Sequence, residues 1–281
     1  MREILVIANR TLGGERLLQA VRARAAEGDT TFRLIVPQTK PAAGLVIYDE
    51  AVRESAQVRV DLAMSLLASE GIKAAGEVGD PDPFMAAMDA IAQRRPDEVI
   101  VSTHPATQSG WLRRDLIERI ERASGLPVQH IVVDLEHEGL PFAVTLVVAN
   151  KTSSGEELIS RLTAKAADGQ QRLFVAIVPQ QDRSGAAARA ARLRLAAMLE
   201  RLDDAGLLSA GMIGDPDPYT AVMNALELFN VDDIVISTLP GERSGWMRND
   251  LIGRVRGASP VEVEHIVVDT QSNATAATAA G

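Results

Sequence analysis

The chain has 281 residues, long for one domain and comfortable for two, and its 46% hydrophobic and 24% charged residues are the balance of a globular protein. Its net charge of −9 is interspersed, with no basic stripe, and aromatics are 3%, which argues against nucleic acid as a partner; the lack of cysteine excludes disulfides, thiolate metal sites and cysteine nucleophiles. No apolar run is long enough for a bilayer, and the run after Arg2 and Glu3 is too short for a secretory signal, so we expect no membrane partner and a cytoplasmic location.

Along the first half, short β-rich runs at about 3–8, 31–36, 73–78, 97–101 and 128–133 alternate with helix-period segments at about 13–26, 50–70, 82–93 and 110–123. This alternation predicts an α/β fold in which a parallel sheet is covered by helices on both faces. Residues 135–141, LEHEGLP, are polar, end in proline and read as a linker; the same order of elements then returns from about 143 to 268. The tail at 270–281 has no large apolar groups and is expected to be disordered. The expected organisation is therefore domain 1 at 1–134, a linker at 135–141, domain 2 at 142–269 and a tail.

The second half is a copy of the first. LVIANR at 5–10 recurs as LVVANK at 146–151, and IVPQ at 35–38 recurs at 177–180. Residues 79–134 laid over 214–269 without a gap give 28 identities in 56 positions, including GDPDP, SGW, DLI and HIVVD. The copies differ mainly at 39–60, where the first is longer and carries KPAAGLVIYDE.

In an open parallel sheet a ligand sits beyond the carboxyl ends of the strands, where the strand order reverses. The loops after strands one and four of each copy would make that crevice, and they are the segments the copies share most closely. Asn9 and Asn150 offer both a donor and an acceptor, and Thr11 and Thr152 add a hydroxyl; the alternative is that these residues cap the first helix. Ser102, Thr103, Ser237 and Thr238 end the fourth strands. Ser109, Gly110 and Arg113, repeated as Ser244, Gly245 and Arg248, open the following helix, where free amides and a guanidinium would converge on a phosphate; serine capping alone is the alternative. GDPDP reads first as structural, its second aspartate and last proline fitting a helix start, with Asp80 and Asp215 facing the crevice as the alternative. Trp111 and Trp246 read as packing beneath the loop. His130 and His265 read as edge-strand residues rather than metal ligands, and His104 has Leu239 as its counterpart, so no metal site and no catalytic residue is assigned.

With its five strands, its GDP after strand three and a fourth strand leading to serine, each copy resembles a universal stress protein domain. That resemblance implies two tandem doubly wound five-stranded domains of the adenine nucleotide alpha hydrolase-like fold, joined as an intrachain pseudo-dimer, with further homodimerisation open. It implies ATP or another adenine nucleotide as ligand and a stress-related, regulatory role. The copies depart from the family together: Asn9 and Asn150 replace an aspartate, and the glycine-rich ATP loop after strand four is missing, which leaves the ligand unidentified. The reading is a non-enzymatic binder of a nucleotide or other small phosphorylated ligand. Two alternatives stand beside it: a scaffold with empty sites that acts through protein contacts, with 39–49 as the contact element, and a nucleotide hydrolase or transferase.

Overall fold

The computed structural model describes residues 1–38, 49–105, 111, 115–241 and 244–268, with backbone alone at 49, 50 and 248. Ser109, Gly110 and Arg113, the 39–48 part of the insertion and the tail lie outside the described residues. The chain divides into two compact units, Met1–Pro141 and Phe142–Gly281.

In the first unit the strands are β1 (Arg2–Ile7), β2 (Thr30–Pro37), β3 (Ala74–Gly79), β4 (Glu98–Thr103) and β5 (Val128–Val132). They form one parallel sheet in the order β3-β2-β1-β4-β5, so the order reverses between β1 and β4. The expected doubly wound topology is what forms. Alternate residues of each strand face opposite ways, and both faces are covered, which is why the strands read as unbroken apolar runs. Ile4, Val6, Phe32 and Leu34 meet Leu17 and Val21 of α1 (Glu15–Ala26) and Ala56 and Val60 of α2 (Asp49–Ser69). Leu5, Ile7 and Ile35 meet α3 (Pro83–Gln93) and α4 (Leu116–Ser124) on the other side. The segment expected as a polar linker contains one helical turn, α5 (Leu135–Glu138), because Asp134 caps it, accepting from the His137 amide, and Leu135 rests on the core.

The second unit repeats this with β6 (Ala143–Val148), β7 (Arg172–Pro179), β8 (Ser209–Gly214), β9 (Asp233–Thr238) and β10 (Glu262–Val267), ordered β10-β9-β6-β7-β8. Helices α6 (Glu156–Ala166) and α7 (Gly185–Asp204) share one apolar cluster on one face. Buried residues of α8 (Pro218–Leu228) and α10 (Leu251–Ala258) cover the other, and a short α9 (Gly245–Arg248) follows β9.

Each sheet carries a charge cluster at the amino ends of its strands. Glu98, 5% exposed, takes Arg2 at 2.5 Å and Arg24 at 3.0 Å. Its counterpart Asp233 takes Lys165 at 3.2 Å and also Arg172, a residue of β7 rather than of the first strand. Among the described residues no helix is long and apolar enough to cross a membrane.

Candidate functional site

The GDPDP loops are built by local chemistry. Asp80 Oδ1 accepts from the Asp82 amide at 2.8 Å and Asp215 Oδ1 from the Asp217 amide at 2.9 Å. Asp82 then caps α3 and Asp217 caps α8, with Pro83 and Pro218 as first helical residues. A Cβ on Gly79 would lie 2.9 Å from that of Ala86, and one on Gly214 would lie 2.8 Å from that of Ala221, so the glycines let helix and strand close up.

The loops after β1 and β6 are tied to their neighbours rather than to the helices they precede. The Asn9 amide donates to the Pro37 carbonyl at 2.6 Å, and the Asn150 amide donates to Pro179 at 3.0 Å. Thr11 donates to the Ser102 carbonyl at 3.3 Å and Thr152 to that of Ser237 at 3.1 Å. Gly14 and Gly155 occupy the N-cap positions of α1 and α6, without a side-chain cap, so capping by Asn9 or Thr11 is not their role.

In the second unit these residues meet in a cavity of about 330 Å³ at the carboxyl ends of β6, β7 and β9. Asn150, Thr152, Ser237, Thr238, Ser244 and Gly245, all singled out from sequence, line it. Asp215 does not: it faces Arg183 at 3.9 Å and its own turn. Arg248 ends α9, and Ser244 caps that helix, accepting from the Met247 amide at 3.4 Å. Lys151, Gln180, Gln181, Pro216, Leu239 and Trp246 complete the wall; none was assigned to the site from sequence. The β7 loop lies on the far side of β6 from the strand-order reversal, so in the sequence only the repeat of IVPQ marks Gln180.

Two oxygen atoms in this wall are buried and have no hydrogen-bond partner among the described residues: Asn150 Oδ1 and Ser237 Oγ. Ser237 is 1% exposed. Its counterpart Ser102 spends the same hydroxyl on Thr11 Oγ1 at 2.9 Å.

Thr103 and Thr238 each pair with the histidine of the last strand, Thr103 Oγ1 to His130 Nε2 at 2.9 Å and Thr238 Oγ1 to His265 Nε2 at 2.8 Å. In the first unit the threonine proton goes to the His104 carbonyl at 2.9 Å, so His130 Nε2 is the donor and is no base. Burial holds both imidazoles below the ordinary histidine value, and Arg256 adds to this at His265. Among the described residues no group of three or more acidic or histidine side chains is placed to hold a metal ion.

No family model and no curated protein matches the sequence. Among solved structures the chain is similar to a universal stress protein from Archaeoglobus fulgidus DSM 4304, with 16% identity over 95% of this chain and 97% of that one and a TM-score of 0.35. It is also similar to a universal stress protein family protein from Arabidopsis thaliana solved with AMP bound, with 12% identity over 48% of this chain and 94% of that one and a TM-score of 0.34. The fold is given by the strand order of the two sheets, and the functional reading rests on this chain's own residues.

Proposed function

We propose that the second unit binds a small phosphorylated ligand, of which a nucleotide is the leading case, in the cavity between β6 and β9, and does so without catalysis, in a regulatory role. The observation that carries this is the pair of buried, unpartnered oxygens, Asn150 Oδ1 and Ser237 Oγ, in one wall. A polar atom left unpaired in burial costs about 1–3 kcal/mol, and a ligand N–H or O–H placed between them removes that cost. Lys151 adds a positive charge to the same wall, and the volume is at the lower end for small-molecule sites. A base or sugar fits there, with its phosphates toward Lys151 and solvent.

Among the described residues of the wall, Lys151 is the one titratable side chain; no carboxylate or histidine lines the cavity to move a proton. This favours binding over turnover.

The test is a thermal-shift screen of purified protein against ATP, ADP, AMP, cyclic dinucleotides and inorganic phosphate, followed by calorimetry on the best ligand. Ser237→Ala is expected to weaken that ligand by about fivefold, one hydrogen bond's worth, with the fold intact. Ser102→Ala, which removes a satisfied hydroxyl in the first unit, is expected to leave that affinity unchanged. No saturable shift at millimolar ligand, or a Ser237→Ala variant that binds like the wild type, would remove the reading.

A further inference from the structure

Arg194 lies in the middle of α7, on the stripe that buries Ala187, Ala191, Met198 and Leu202. Its Nε and Nη2 atoms are both buried, and no hydrogen bond or ion pair among the described residues reaches either. Those two N–H groups form one edge of the guanidinium and point the same way. Elsewhere in this chain that edge grips a carboxylate: Arg22 through Nε and Nη2 to Glu70, both at 2.8 Å, and Arg24 through Nε at 3.1 Å and Nη2 at 3.0 Å to Glu98. Arg33 and Arg172 also leave a buried Nε without a hydrogen bond, but each faces a carboxylate, of Glu3 and Asp233. Arg194 has the fork without the acid.

The place of the fork is set by the packing of α7. Ala191 packs with Val178 near the carboxyl end of β7, whereas Met198 shares a cluster with Phe174 and Ala176 further back, so α7 runs antiparallel to the strand. Arg194 lies between these levels, and helical side chains lean toward their helix's N-terminus, here toward the carboxyl end of β7. The repeat puts Arg59 at the equivalent place in α2. Burial, and secondarily Arg10, push the Arg59 pKa down to about 10, so that guanidinium shares a neighbourhood with the cation that follows β1. The counterpart of Arg10 is Lys151.

We infer that Arg194 is an oxyanion site, taking a phosphate or carboxylate group in two parallel N–H···O bonds on its Nε and Nη2 edge. A buried guanidinium is retained at a cost unless such a partner pairs with it, and the planar fork matches both anions. The site does not require the cavity to be occupied.

The experiment uses the full chain and follows the arginine Nε–H signals by proton–nitrogen NMR, assigning that of Arg194 by its loss in Arg194→Met. Sodium phosphate and sodium acetate are titrated separately against sodium chloride at matched ionic strength. Phosphate or acetate, but not chloride, is expected to move the Arg194 signal saturably, and the more effective of the two identifies the ligand's anionic group. That anion is also expected to raise the wild-type Tm, an effect absent in Arg194→Met, while Arg194→Lys, which keeps the charge but not the fork, binds at least about tenfold more weakly. Ser237→Ala is expected to keep the response, which separates this site from the cavity. An Arg194 signal that neither anion moves, or an Arg194→Met variant whose Tm still responds as the wild type does, would overturn the assignment.

Discussion

Asn150 divides one side chain between two surroundings: its amide nitrogen pins the end of β6 to Pro179, and its oxygen lies buried in the cavity wall without a hydrogen-bond partner among the described residues. The histidines divide in a different way. His104, His130 and His265 are held below the ordinary value of 6.5, first by burial, with Arg10 adding to the effect at His104 and Arg256 at His265. The unfolded chain therefore takes up more protons than the folded one between the depressed values and 6.5, so stability falls as pH drops below 6.5. His137, exposed and hydrogen-bonded to Asp134, is shifted upward and works oppositely: its contribution is present below 6.5 and lost as pH rises through its raised value. Melting curves from pH 7.5 to 5 are expected to show a falling Tm, and replacing His130 and His265 together by Gln should flatten that slope. A slope that these replacements leave unchanged would contradict it. At this scale the sequence was legible where chemistry is local, as in the Asp–Asp–Pro steps of GDPDP. It was not legible for Thr238 with His265, because that pairing depends on the register of β9 against β10. Arg194 was missed for a related reason: between Leu193 and Leu195, nothing in the spacing says which of the three turns inward.

At the scale of elements, the shared glycine before α1 and α6 has a reason no motif supplied. A Cβ on Gly14 would stand 2.2 Å from Val133 Cγ1, and one on Gly155 would stand 2.3 Å from Val268 Cγ1. Each valine follows the last strand and hydrogen-bonds through its amide to the carbonyl of Thr103 or Thr238. The first helix thus docks directly on the segment beside the Thr–His pair. Gly155→Ala is expected to cost about 1–3 kcal/mol through overpacking. Adding Val268→Ala should recover part of that loss, so that the double variant in a denaturant melt is more stable than the two single losses predict when summed. Strictly additive losses would show that the contact is not what the glycine serves. The alternation of elements and both repeats were readable beforehand because buried parallel strands leave long apolar runs; close backbone approach leaves only a glycine, which looks like any other.

At the scale of the molecule, each copy has its own sheet and its own apolar clusters. A fragment of residues 142–268 is accordingly expected to melt cooperatively and to keep the Ser237-dependent ligand response, as followed by circular dichroism and calorimetry. A fragment without a cooperative transition would mean that the second unit needs the first. The charge clusters at the amino ends of the strands bear on how such a chain is made. Tandem copies this similar invite strand exchange, in which β1 or β6 enters the neighbouring sheet while the polypeptide is still being synthesised. The first copy carries its cation on β1, as Arg2, whereas the second carries it on β7, as Arg172. A β1 inserted in place of β6 would bring a surplus arginine to Asp233, and a β6 in place of β1 would withdraw Arg2 from Glu98. An exchanged strand would thus leave one cluster with a cation too many and the other with one too few, so only the native pairing keeps both clusters matched.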